Sequence, residues 1–418
     1  MKGTRKGKGL LAILGPGVLL AATGVGAGDL ATASLTGNKL GTAILWGVLL
    51  GGALKFVLTE GLTRWQLATG KTLLEGSVEH LGKPFQIAFL AYLIPWSFFV
   101  GSALMASCGV AAHAVLPVFE DAGRAVLVFG ILHSLLGVVL IRCGGYAFFE
   151  KVMSGCIALM FCTILTTTIL LRPDWNRVLS GIFWPSIPSA GGEEIIWTLA
   201  LMGGVGGTVT ILCYGYWIRE RGRHSREDLT VCRIDLGVGY FMTALFGMAM
   251  VIIGSRIQVT GRGAGLVISI ADHLEGPLGG WGRWAFLLGA WGALFSSLLG
   301  VWQSVPYLFS DFISLMRRDS PQVRRARLST GSFTYRTYQY ALAAVPILAL
   351  TFSFSELQKY YSFFGALFMP FLAFILLYLN GQARLVGREN VNRPATTVIL
   401  LALIAFFAFF GWLEIHNR

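Results

Sequence analysis

The sequence predicts an all-α polytopic membrane protein of about eleven transmembrane helices: two five-helix repeats of opposite orientation and one helix more. Three observations predict it. The 418 residues are 55% hydrophobic and only 13% charged, with a mean hydropathy of +0.67, far outside the range of soluble domains. The basic residues collect on alternate loops. Two glycine-broken apolar stretches, Thr23-Gly24-Val25-Gly26-Ala27-Gly28-Asp29 and Gly203-Gly204-Val205-Gly206-Gly207-Thr208-Val209-Thr210, fall at corresponding places in the two halves.

A bilayer-crossing helix needs roughly 20 mostly apolar residues. Charge clusters and Gly/Pro/Asn punctuation leave stretches of that length centred near Leu20, Leu54, Gly101, Leu132, Cys162, Gly206, Gly247, Phe295, Val345, Phe371 and Leu403. The opening segment from Met1 to Gly28 mimics a signal peptide, but cleavage would remove the first glycine break and spoil the charge alternation downstream, so it reads as span 1. The polar segments between spans (Arg172 to Gly192, Ile218 to Arg233, Ile257 to Gly280 and Met316 to Arg336) are loop-sized, which leaves one transport-type domain over 1–418. Within the third of them, Ala264 to Leu274 has helical spacing and suits a helix lying over the outer mouth.

The formal net charge of +12 follows topology. Lys2/Arg5/Lys6/Lys8, Lys71/Lys83, Lys151, Arg219 to Arg233, Arg317 to Arg327 and Arg384/Arg388/Arg393 share one side, and the opposite loops hold only scattered charges such as Lys39, Arg124, Arg172, Arg177, Arg256 and Arg262. The positive-inside rule then puts the N-terminus in the cytoplasm and, with an odd span count, the C-terminus outside, in a bacterial-type inner membrane. The basic excess meets anionic lipid and is no nucleic-acid footprint. Six cysteines lie in or at the ends of spans without CxxC or metal-ligand spacing, and read as packing residues.

Five spans over 9–171, five over 192–380 and a trailing helix over 394–414 make an odd number per repeat, which inverts one repeat against the other as in the LeuT-type fold. Span 1 then pairs with span 6, each with its break. Interrupted helix inside a bilayer strands backbone polar groups and survives only where protein buries it or a cavity wets it. Paired breaks point to the substrate site; close helix packing through small residues is the competing explanation. The candidate substrate-binding residues are Gly24, Gly26, Ala27, Gly28 and Asp29 on span 1 with Gly206, Gly207, Thr208 and Thr210 on span 6. For a metal, the donors are Asp29 and Thr210. Asp29 suits cation or proton coordination, or an N-cap for the outer half of span 1. Thr208 and Thr210 offer hydroxyls or bond back to their own helix.

Elsewhere the sequence favours structural roles. Glu60 and Arg64 stand at i,i+4 on span 2 with Lys55 on the same helix, a structural ion pair. Asp235, Asp311 and Glu193-Glu194 suit helix ends, and Tyr214 and Tyr216 suit the inner membrane interface. His113 and His133 suit neutral, hydrogen-bonded rings, with a proton role open. No hydrolase triad, P-loop or metalloprotease motif supports an enzyme, and no resident cofactor is implied beyond a bound divalent cation or a coupling H⁺ or Na⁺.

Gly15-Pro16-Gly17, Ala31-Thr32 with Gly37, Gly41 and Trp46, the run Ala68-Thr69-Gly70-Lys71-Thr72-Leu73-Leu74-Glu75 and Ile234-Asp235 resemble the Nramp family of proton-coupled divalent metal transporters, over most of the chain. The resemblance implies a secondary transporter. The family's metal-binding motifs are altered: Gly26-Ala27-Gly28-Asp29 stands where Asp-Pro-Gly-Asn is expected and Thr210-Ile211-Leu212-Cys213 where Met-Pro-His-Asn is expected, and the tenth-helix glutamine aligns near Phe363. Loss of the thioether with one Asp kept argues against selective Mn²⁺ or Fe²⁺ binding; oxygen donors suit Mg²⁺ or Ca²⁺ and make a harder, Mg/Mn-like site, roomy enough for a hydrated Mg²⁺. Two other functions compete: an H⁺- or Na⁺-coupled transporter of a small organic solute such as an amino or carboxylic acid, its carboxylate gripped by half-helix N–H groups, and a non-transporting receptor or scaffold.

Overall fold

The computed structural model describes residues 14–26, 28–188, 192–256 and 264–416. The predicted site residue Ala27 lies outside the described residues, as do Lys2, Arg5, Lys6, Lys8 and Arg262. The described chain is almost wholly helical, and seven continuous helical stretches among the described residues are long and apolar enough to cross a membrane.

Span 1 is α1 (Pro16–Gly24), a wide turn over Gly28–Thr32 and α2 (Ala33–Leu40). Span 2 is α3 (Leu45–Thr69), closed by Gly70 in the left-handed conformation at φ +72°. α4 (Leu73–Val115) starts with a short segment, bends at Gly82 and continues as span 3. Spans 4 and 5 form one run, α5 (Ala122–Leu170). At 1.5 Å per residue a straight helix of that length would be more than twice as long as the ~30 Å hydrocarbon core. It therefore turns back at Gly145, φ +64°, where glycine alone takes the conformation without strain.

A short amphipathic helix, α6 (Trp175–Phe183), follows before span 6, which is α7 (Gly192–Gly204), an unwound link, a 3-10 turn over Val209–Cys213 and α8 (Tyr214–Glu220). Span 7 is α9 (Leu229–Arg256). α10 (Ala264–Met316) bends at Gly279 and continues as span 8. Its first arm buries Val267, Ile270, Ala271 and Leu274, the i, i+3, i+4, i+7 spacing of one helix face. Val267 lines one small cavity with Leu30 and Ala31 of span 1, so this arm lies beside the half of span 1 that follows its break. A short helix, α11 (Pro321–Arg327), leads to span 9, α12 (Phe333–Ala344) with the 3-10 turn Val345–Thr351. Spans 10 and 11 are α13 (Phe354–Asn380) and α14 (Pro394–His416).

Apolar faces turned outward on spans 4 and 5, among them Leu132, Leu135 and Val139, are the lipid face. Span 8 does the reverse: Leu294, Phe295, Leu298, Leu299, Trp302 and Val305 are all buried. It therefore forms the centre of the bundle, packed on spans 3, 4 and 5 and on the broken span 1.

Candidate functional site

Both glycine stretches are breaks, and they lie against each other. In span 6, Gly206 and Gly207 hold φ of +85° and +81°, a conformation costly for any residue with a Cβ. In span 1 the need for glycine is spatial: a Cβ on Gly24 would stand 2.7 Å from the carbonyl carbon of Gly206, and one on Gly26 would stand 2.3 Å from Oγ of Ser297. The backbones of the two breaks touch, which no larger residue permits.

Each break exposes carbonyl groups that have lost their helical partners. In span 1 these oxygens are met by span 8: Ser297 Oγ donates to the Thr23 carbonyl (2.7 Å), and Ser296 Oγ shares its proton between the Ala22 carbonyl (3.1 Å) and that of Ala293 in its own helix (2.9 Å). In span 6 they are met by Lys55 of span 2, whose Nζ donates to the carbonyls of Gly203 (2.8 Å), Val205 and Gly207 (2.7 Å). Lys55 is fully buried. The sequence grouped it with the Glu60/Arg64 pair, and the structure separates them. Glu60 does bind Arg64 (3.3 Å) and also Arg233 (2.6 Å), a structural cluster one to two turns away.

Asp29 enters the break from the wide turn after it, fully buried; no side chain bonds its carboxylate oxygens, and the backbone N–H groups of Gly26 and Gly206 lie beside them without a hydrogen bond of good geometry. It is therefore not an N-cap satisfied by the amides of α2. Lys55 is the charged group that acts on it, across space and without a hydrogen bond to its oxygens. Thr210 Oγ1 is likewise buried without a partner, as is Thr23 Oγ1. Thr208 differs: its Oγ1 accepts from Trp96 Nε1 of span 3 (2.9 Å), which anchors the unwound link. Phe363 is 58% exposed and turned away from the site. Span 10 does carry a buried glutamine, Gln358, whose Nε2 donates to Ser107 Oγ (3.1 Å). Among the described residues no three His, Cys, Asp or Glu side chains converge to hold a metal. The chemistry available at the breaks is instead one carboxylate, hydroxyl oxygens, carbonyl oxygens and an ammonium group.

Two buried carboxylates close the arginine-rich end of the bundle, and here the helix-end and interface expectations fall short. Asp235 accepts from the backbone N–H of Gly15 (3.2 Å) and Gly17 (3.0 Å), from Tyr214 Oη (2.9 Å) and from Arg223 Nη1 (3.0 Å). The Gly-Pro-Gly and Ile-Asp motifs are thus two halves of one joint. Asp311 accepts from Tyr216 Oη (2.8 Å), Thr72 Oγ1 (3.3 Å) and Arg324 Nε (2.6 Å), and Arg324 reaches Glu75 (2.7 Å). Burial alone would lower the Arg324 pKa; the bonds and charges of Asp311 and Glu75 outweigh it and raise it. Tyr214 and Tyr216 are buried ties between spans and do not mark the membrane interface. Among the histidines, His133 is held neutral as expected: Nδ1 bonds the Phe129 carbonyl (2.7 Å) while Trp291 Nε1 donates to Nε2 (2.8 Å).

The family model for natural resistance-associated macrophage protein-like (Nramp) proteins matches residues 17–414. The divalent metal cation transporter MntH of Mycobacterium leprae (strain TN) is 23% identical over 410 residues, covering 93% of this chain and 87% of its own. MntH of Bacillus subtilis (strain 168) is 22% identical over 261 residues, 60% of this chain and 59% of its own. Among solved structures, a mutant of the Eremococcus coleocola manganese transporter superposes with a TM-score of 0.75 at 17% identity, covering 100% of this chain and 88% of that one. MhsT in complex with L-phenylalanine gives 0.62 at 16% identity, covering 95% of this chain and 97% of that one.

Proposed function

The chain belongs to the Nramp family, and from that premise we propose that it is a secondary active transporter of a divalent metal cation, working by alternating access through a site of hard oxygen donors. The repeats over 9–171 and 192–380 rock against each other, and helix 394–414 stays outside the cycle. The protein sits in a bacterial-type inner membrane with its N-terminus cytoplasmic and its C-terminus outside.

The observation that carries this reading is the set of buried, unpartnered oxygens at two touching breaks: both carboxylate oxygens of Asp29 and the Thr210 hydroxyl. A buried unsatisfied polar group costs about 1–3 kcal/mol, and more when charged. A transported cation relieves that cost each time it binds. Carboxylate, hydroxyl and carbonyl oxygens suit Mg²⁺, Ca²⁺ and Mn²⁺, and Mg²⁺ brings much of its own water. No sulfur or imidazole takes part in this donor set, so softer transition metals gain no advantage. H⁺ or Na⁺ is the coupling ion.

The test is uptake of Mg²⁺ and Mn²⁺ into proteoliposomes. Asp29→Asn keeps the shape and removes the charge. It raises the half-saturating concentration about a hundredfold, as the loss of one or two charge-assisted contacts of ~1.5–3 kcal/mol predicts. Thr210→Val, which removes one neutral donor, raises it about fivefold. Uptake of an amino or carboxylic acid with divalent cations inert would replace the cation by the organic solute.

A further inference from the structure

Lys55 contributes no oxygen to the donor set, yet its Nζ is bonded to the carbonyl oxygens of the span 6 break. All three of its N–H donors are spent on the carbonyls of Gly203, Val205 and Gly207. Those are the oxygens that the unwinding of span 6 turns toward the break, and backbone carbonyls of this kind are ordinary ligands for hard divalent ions. We propose that Lys55 is a tethered competitor for the transported cation: its ammonium group holds the carbonyl oxygens of the span 6 break while no substrate is bound, and the substrate cation binds only by driving it out. The inference rests on the divalent-cation function and names the residue that sets its selectivity.

Two features separate a competitor from a permanent helix cap. A lysine serving only as a C-terminal cap needs no counter-charge beyond the helix dipole, yet here a buried carboxylate faces it. A lysine serving as half of a structural ion pair would donate to that carboxylate, yet no hydrogen bond joins Lys55 to Asp29. Asp29 balances the charge of Lys55 without being bound to it. With Lys55 in place the site is electrically neutral; adding a dication without moving the ammonium would bury two net positive charges together. Displacement therefore accompanies binding. A side chain with four methylenes can make that move, and polar ground is close at hand: one turn along span 2, Thr59 Oγ1 shares a hydrogen bond with Tyr240 Oη (2.6 Å). The same Tyr240 ring borders Gly206. The tether also sets a threshold, since an incoming ion must hold Asp29 and the carbonyls more strongly than a monovalent ammonium group already does.

The experiment is thermal titration of the purified full chain with MnCl₂ and MgCl₂, comparing wild type, Lys55→Met and Lys55→Arg. Lys55→Met keeps the length of the side chain and removes the competing charge, so its half-saturating metal concentration falls about tenfold or more; Lys55→Arg keeps the charge on a bulkier head and raises it about tenfold. Half-saturation within twofold of wild type in both variants, or loss of metal binding in Lys55→Met, overturns the inference while the divalent-cation function stands. Should Lys55→Met fail to fold, Lys55→Arg against wild type decides alone. Wild type with no response to either metal overturns the cation function itself, and the inference with it.

Discussion

The two breaks answer one physical problem in different ways. Each interrupts a helix in the middle of the bundle and frees backbone carbonyls that must find donors. At span 1 the donors are the hydroxyls of Ser296 and Ser297, neutral groups on the buried helix that forms the centre of the bundle. At span 6 the donor is the ammonium of Lys55. A hydroxyl satisfies a carbonyl without changing the charge of the site, so the span 1 break is a packed joint. Lys55 reaches the span 6 break from a third helix, so that break is held by one long side chain that bonds three carbonyls at once. The glycines differ in the same way: those of span 1 are required for closeness and those of span 6 for conformation.

Substitutions at the two breaks carry different costs. The largest effect is expected at Gly24, where even a methyl group meets the backbone of Gly206. Gly24→Ala costs about 1–3 kcal/mol of stability and Gly24→Asn more, because the added bulk has nowhere to go. At Gly206 the nearest atoms to an added Cβ are side-chain carbons at 3.3 Å, and the difficulty is φ. Gly206→Ala costs about 1–2 kcal/mol and Gly206→Asn less, since asparagine tolerates the left-handed region. Melting curves of the four variants check this, and the same order of Ala and Asn at both positions would dissolve the distinction. A smaller effect separates the caps. Ser297→Ala leaves one carbonyl short, costing about 1 kcal/mol, and leaves the metal half-saturation unchanged in the titration where Lys55→Met moves it.

The spans were legible because each needs an apolar run closed by charge or glycine, and both conditions are local. The position of Asp29 and Thr210 at the breaks is local in the same way: the two residues sit beside them in the chain. Lys55 was not legible. Its partners lie 148 to 152 residues away, and the nearer i,i+4 pattern of Glu60 and Arg64 offered a sufficient account of the charges on span 2. Asp235 was seen as a motif, but its partners Gly15 and Gly17 lie 220 and 218 residues earlier. The tenth-helix alignment failed by rotation: two residues along a helix turns a side chain about 200°, so Phe363 faces outward where Tyr361 is buried.

Asp235 and Asp311 together tie spans 1, 3, 6, 7 and 8 at the arginine-rich end. Each opening at that end must part several charge-assisted hydrogen bonds at once, and bonds of that kind are about twice as strong as neutral ones. Because two carboxylates gather five helices that lie far apart in the chain, either one removed would loosen several helix contacts at once.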